Sequence, residues 1–261
     1  AEGIEVERVP LELGYPLPIS DLPAFTTRCF VLRLPSAPRV RVLASAVGLA
    51  GAPSVQGGWL PAHPASGSAG EAGFQTFAQE LPRTSAQYHL CVRTSSAQGC
   101  DALLTSVADD ASRAEPPPIW LRPNYPSVWQ LGGGGAAPKS LRFILEADYL
   151  EDMRISAVPV SGEVDVEVFD APVGRGPEAA EALDQDSCHG RLVGKSALVG
   201  PDVIEVPARQ RKAWNAASRH ALCVRATGEG VVALTAGPRL PGPFLAPFVP
   251  AAGRFEAAPA G

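Results

Sequence analysis

Apolar and polar residues alternate with a period of two along much of the chain. In Gly162-Glu163-Val164-Asp165-Val166-Glu167-Val168 the valines fall on one face and the acids on the other, the signature of a half-buried strand. Runs of this kind predict strands near 140–147, 153–160, 164–169, 190–194, 202–207, 219–226 and 230–236. In the first half they predict strands near 28–34, 39–46, 73–80, 87–94 and 101–107. Thr227-Gly228-Glu229-Gly230 separates two of these runs and reads as a tight hairpin turn, because glycine tolerates the positive φ of primed turns. The low-complexity stretch 61–73 reads as a loop, and helix is confined to 178–183 and 208–217.

The same pattern occurs twice. Leu90-Cys91-Val92-Arg93 recurs as Leu222-Cys223-Val224-Arg225, 132 residues later, and Ala102-Leu103-Leu104-Thr105 matches Val232-Ala233-Leu234-Thr235 at 130. Upstream, Gly14-Tyr15-Pro16 matches Asn124-Tyr125-Pro126, and Cys29-Phe30-Val31-Leu32 matches Arg142-Phe143-Ile144-Leu145, at offsets of 110 and 113. Four matches in one order predict an internal duplication whose second copy carries an insertion, most simply the acidic stretch 174–186. Cys91 and Cys223 are expected at equivalent positions, facing inward with Leu90 or Leu222 on the opposite face.

Composition narrows the fold class. Gly (26) and Pro (27) interrupt most windows long enough for a helix, while 46% hydrophobic residues suffice for a core. The expected fold is all-β: two tandem antiparallel β-sandwich or jelly-roll domains arising from an internal duplication. The first sandwich, with an extended N-terminal segment, covers 1–115. A Pro-rich connector covers 116–124, the second sandwich 125–237 and a Pro-rich tail 238–261. In that tail Phe244, Leu245, Phe248 and Val249 are interleaved with prolines that hold the chain near polyproline II geometry. They are the candidates for docking a protein partner, the alternative being that they pack back onto their own second sandwich.

The Phe-Ile-Leu strand, the 162–168 strand and the closing Leu-Cys-Val-Arg hairpin together resemble the bacterial pre-peptidase C-terminal domain family, over about 140–236 and less fully over 15–107. The family's glycine-rich approach to its last strand pair is replaced by Arg219-His220, and its Asp-Leu-Asp pattern stands only as Val164-Asp165-Val166. The resemblance implies a noncatalytic β-sandwich accessory module and transfers no site residue.

A net charge of −5 with no basic stripe argues against nucleic acid as a partner. No apolar run reaches the roughly 18 to 20 residues that span a bilayer, so no transmembrane segment is expected. A first residue of Ala1 fits a mature chain after removal of a targeting peptide. Five cysteines lack the C-x-x-C spacing of zinc or redox sites. In an oxidising compartment Cys188 and Cys223 are the simplest pair, worth roughly 3 to 4 kcal/mol by loop entropy. Cys29, Cys91 and Cys100 leave three pairings open.

Catalytic chemistry finds no motif. His63, His89, His189 and His220 are scattered, and there is no nucleophile elbow, zinc-protease helix or phosphate loop. Gly132–Gly135 lacks the strand-to-helix setting and the Lys-Ser/Thr of a phosphate loop. Cys188 and His189 are adjacent and point to opposite faces of an extended chain. The acid groups Asp148, Glu151, Asp152 and Asp165, Glu167, Asp170 read as solvated strand faces rather than calcium loops. Trp120 and Trp129 fall in or just beyond the connector and read as a wedge between sandwiches, with sugar stacking as the alternative use of the tryptophans. The expectation is therefore a nonenzymatic, cofactor-free accessory or structural component of a larger extracytosolic or organellar assembly, binding a protein partner; the alternative is a carbohydrate-binding or adhesive module.

Overall fold

A computed structural model describes residues 4–59, 73–82, 87–94, 97–146, 151–173, 188, 190–196, 201–208 and 219–239. The described chain is nearly all β, in sheets that are antiparallel apart from two edge pairs. In the first half, β1 (Ile4–Pro10), β3 (Thr27–Leu32), β7 (Tyr88–Thr94) and β5 (Pro53–Trp59) form one sheet in that spatial order. A second sheet runs β2 (Leu17–Leu22), β8 (Cys100–Asp110), β4 (Arg39–Ala50) and β6 (Phe74–Pro82). Phe30, Leu90 and Val92 of the first and Ile19, Val42 and Leu104 of the second belong to one apolar cluster.

The second half is built on one long ribbon. β12 (Met153–Val173) and β15 (Arg219–Pro238) pair antiparallel from Met153 opposite Pro238 to Val173 opposite Arg219. Core residues on both sides of the middle, such as Ala157 and Val166 in β12 or Leu222 and Val232 in β15, share one cluster, so the ribbon folds over on itself. Glycines make the corner. Gly162 (φ 72) lies opposite Gly230 (φ 133), and Gly228 (φ 145) lies opposite Val164. A Cβ on Gly162 would strike the Glu229 carbonyl, and one on Gly228 would strike that of Glu163. Thr227–Gly230 is thus not the hairpin turn expected from its composition. A tight turn needs its two flanks to pair with each other, whereas both flanks here pair with β12 and the strand continues through.

On one side of the corner β10 (Pro126–Leu131) and β14 (Asp202–Val206) flank the ribbon; on the other, β11 (Ser140–Glu146) and β13 (Arg191–Ser196) do. β9 (Ile119–Trp120) adds parallel to β11, as β1 adds parallel to β3. It lies within the stretch 116–124 read as a connector, and Ile119 is fully buried in the second core. Just upstream, Arg142 donates to the Pro116 carbonyl at 3.2 Å, and the Glu115 carboxylate bridges Arg142 and Arg225 at 3.3 and 3.7 Å. The halves also share apolar contact, Val47 with Phe74 meeting Val128, Val158 and Ala233.

The inward placement of Cys91 and Cys223 is overturned. Leu90 and Val92, like Leu222 and Val224, bracket the cysteine and occupy the core, so alternation turns each cysteine to the outer face. There Cys91 stands opposite Cys29 on β3 and is bonded to it, with Cα atoms 4.0 Å apart.

Gly162→Ala should lower the unfolding free energy by more than about 2 kcal/mol, because positive φ and a blocked Cβ add. Gly134→Ala, also at positive φ but with nothing near its Cβ, should cost about 1 kcal/mol. Denaturant titration of both variants checks this; equal losses would mean that the corner imposes no close packing.

Candidate functional site

The pairing register aligns the two halves position by position. Ile19 pairs with Ala102 as Trp129 pairs with Val232, and Arg28 pairs with Val92 as Phe143 pairs with Val224. The register thus shifts the sequence match of this strand by two residues, Phe30 pairing with Leu90 as Leu145 pairs with Leu222, so that Arg28 and not Phe30 is the counterpart of Phe143. In the second half those two positions fill the space between the layers. Trp129 and Phe143 are buried with ring centroids 6.4 Å apart, and the Trp129 indole N–H donates to Ser127 Oγ at 2.7 Å. In the first half an aliphatic and a cation stand there instead. A cleft of about 400 Å³ opens between the β1 and β2 edges, walled by Leu11, Tyr15, Pro16, Leu17, Ile19 and Phe30, with Glu12 and Arg28 as its charged groups. An apolar wall with a few placed polar groups is the usual make-up of a ligand site.

The rim of the cleft is tied to the chain that joins the halves. Gly14 takes φ 80, and its N–H donates to the Ser106 carbonyl at 2.7 Å. Its own carbonyl accepts the Trp120 N–H at 2.8 Å. Tyr15 is 37% exposed, and its ring stacks on Trp120, centroids 5.2 Å apart and planes 12° from parallel. Burial, reinforced by the carboxylates of Glu12 and Glu146, pushes the Tyr15 phenol above its ordinary pKa, against a smaller opposing effect of its side-chain hydrogen bond with Trp120. The arrangement can hold an apolar segment against a flat aromatic edge.

Residues singled out from the sequence fall elsewhere. Cys188 and Cys223 are bonded, with Cα atoms 5.4 Å apart, and are buried beside Ile144 and Ala221 on the outer face of the second half. Phe244, Leu245, Phe248 and Val249 lie outside the described residues, as do His63, His189, Trp214, Asp148, the helix expected at 178–183 and all but the first residue of the helix expected at 208–217. His89 is buried on β7, where desolvation holds its pKa below the ordinary value. Cys100 is a buried thiol whose pKa is raised by desolvation. Glu167 pairs with Lys195 at 3.0 Å, Asp170 with Arg191 at 3.9 Å, and Asp152 accepts the Ala208 N–H at 2.7 Å. Among the described residues, no group of three or more His, Cys, Asp or Glu side chains is placed to hold a metal ion. Gly132–Gly135 is the turn from β10 to β11.

Sequence reasoning missed the cleft. Its signal lay in the matched Gly14-Tyr15-Pro16 and Asn124-Tyr125-Pro126 segments, three residues beyond which Ile19 stands in place of Trp129; the difference at Arg28 was hidden, because the sequence match sets Phe143 against Phe30. No protein-family model matches the chain, and no curated protein matches it. No helix among the described residues is long and apolar enough to cross a membrane. Two disulfides fit a protein outside the reducing cytosol.

Ile19→Trp, which imitates the second half, should abolish binding of an apolar fluorescent dye while shifting the unfolding free energy by less than about 1 kcal/mol. Undiminished dye fluorescence would mean that the cleft is not the dye site. His89 gives a separate test. Its lowered folded-state pKa means that the unfolded chain binds the proton first, so stability is fully present above about pH 6.5 and declines as the pH falls below it. His89→Leu should flatten that limb of the stability curve; an unchanged limb assigns the acid sensitivity to other groups.

Proposed function

We propose that this chain is a noncatalytic accessory or structural protein of a larger extracytosolic assembly, built from a duplicated β-sandwich module, and that its first module binds a segment of a protein partner in the cleft beside Tyr15. The observation that carries this reading is the difference between the modules: the second closes its inter-sheet space with Trp129 and Phe143, while the first holds the same space open with Ile19 and Arg28. Duplication is supported by the pairing order. β2-β8-β4-β6 corresponds to β10, the second part of β15, the first part of β12 and β14. β1-β3-β7-β5 corresponds to β9, β11 and the remaining parts of β15 and β12, with β13 added at the edge. The resemblance to pre-peptidase C-terminal domains carries the same implication of an accessory role. Nucleophile-base chemistry has little support: four of the five cysteines are consumed in disulfides, and the fifth is a buried thiol kept protonated.

Stacked Tyr15 and Trp120 favour a second reading, a glycan-binding module, since an aromatic face at a cleft rim packs against sugar C–H groups. The two readings separate in one experiment. The full chain and its Ile19→Trp form are recovered from the natural host. A protein that co-purifies at fixed stoichiometry with the first and is missing from the second supports the accessory role, and a protein retained equally by both removes the cleft from that role. Saturable binding of soluble glycans by the isolated monomer, lost in Ile19→Trp, would favour the glycan reading.

A further inference from the structure

The Arg122–Tyr125 turn stands in the second half where Glu12–Tyr15 stands in the first. Gly14 N–H donates to the Ser106 carbonyl at 2.7 Å, and Asn124 N–H donates to the Ala236 carbonyl at 2.8 Å. Ser106 and Ala236 are 130 residues apart, the same offset that relates the closing strands. Gly14 at φ 80 and Asn124 at φ 63 both take the left-handed conformation, which Asn tolerates better than most side chains. The strands that follow agree as well, Leu17 pairing with Leu104 and Ser127 with Leu234.

In the first half this turn receives the chain that has just left β8. That chain is proline-rich, Glu115-Pro116-Pro117-Pro118, and after Pro118 it delivers Trp120 onto Tyr15. The Pro118 carbonyl lies 3.1 Å from where a Gly14 Cβ would be. In the second half the chain leaves β15 in the same manner: pairing runs to Pro238, and Arg239 N–H donates to the Asp152 carbonyl at 2.7 Å. The sequence beyond is again proline-rich, and Pro247-Phe248-Val249 follows the closing strand at a spacing within a residue of Pro118-Ile119-Trp120. Tyr125 is half-buried, with the Arg122 guanidinium over its ring at 4.3 Å.

We propose that Phe248 and Val249 dock on the Arg122–Tyr125 turn of their own chain, as Trp120 stacks on Tyr15 of the Glu12–Tyr15 turn. The inference rests on the duplication argued above, and it assigns the proline-rich tail first to the chain itself rather than to a partner. Eight residues lie between Arg239 and Phe248, an extended reach of roughly 30 Å, and the prolines reduce the ordering entropy that docking must overcome.

Hydrogen exchange on the full chain decides it. The amides of Phe248 and Val249 should exchange roughly tenfold or more slowly than in an unstructured peptide, at every protein concentration. Tyr125→Ala should remove that protection and leave 230–235 protected. Free exchange in the wild-type chain overturns the proposal, as does protection that survives Tyr125→Ala; protection that fades on dilution places the segment on a second copy and overturns it too. A parallel Tyr15→Ala form separates the two levels of failure. If it frees the Trp120 amide while Tyr125→Ala does nothing at 248–249, only the tail assignment fails; if the Trp120 amide is indifferent to Tyr15, the correspondence between the turns fails with it. Should Tyr125→Ala expose 230–235, hydroxyl-radical labelling of Tyr125 decides instead. Severalfold more labelling in a chain ended at Ala246 than in the full chain supports docking, and equal labelling overturns it.

Discussion

The second half depends on the pairing of β12 with β15 across a corner made of glycine. Twenty-odd residues of uninterrupted pairing would extend far beyond the width of one compact layer, so a ribbon this long must fold to bury its apolar face. Folding brings the two backbones together at Gly162, Gly228 and Gly230, where any side chain would meet a carbonyl. The bulge between Pro159 and Ser161 completes the corner. It shifts the inward parity of β12 from odd residues such as Ile155 and Ala157 to even ones such as Val164 and Val166, so both arms face one core. In the first half the chain solves the same problem by breaking the ribbon. β4 and β5, like β7 and β8, are separate strands, and Gly51 and Gly99 approach each other between them.

The two halves share a pairing order and differ in the side chains it carries. The register that pairs Ile19 with Ala102 and Trp129 with Val232 holds the backbones alike and leaves side-chain volume to decide whether space opens between the sheets. A closed module contributes stability and a neighbour to pack on. An open one presents apolar surface that folding alone does not require. Its rim is fixed by the joining segment, since Trp120 is at once the stacking partner of Tyr15 and part of the edge strand of the second half. The rim of the cleft is thereby tied to the joint between the halves.

Much of the strand plan was legible because period-two alternation is strong where a sheet has one buried face. β11 to β15 follow the valine and leucine runs closely, except that Thr227–Gly230, read as a hairpin turn, is a corner through which β15 continues, and the gap after residue 160 is part of a continuous, bulged β12. β2, β5 and β10 were illegible for a physical reason. Pro18 in β2, Gly57 and Gly58 in β5 and Pro126 in β10 read as breakers, yet these strands lie at sheet edges, where a missing donor or side chain is tolerated. β9 is two residues long and buried by its neighbours rather than by its own pattern. The outward turn of Cys91 and Cys223 was readable from the larger aliphatics on either side of each, but apolar character counted for more than relative size. The cleft is a difference in volume between equivalent positions, which periodicity does not register.

The first half is open where Ile19 and Arg28 stand in the places that Trp129 and Phe143 fill in the second. The most direct measurement is the unfolding free energy of the double variant Ile19→Trp with Arg28→Phe. If the cleft is the space that Trp129 and Phe143 fill in the other half, the two aromatics should pack into it and raise stability by about 1 to 3 kcal/mol. A loss of similar size would show that the first half has no such space to fill and would contradict the account.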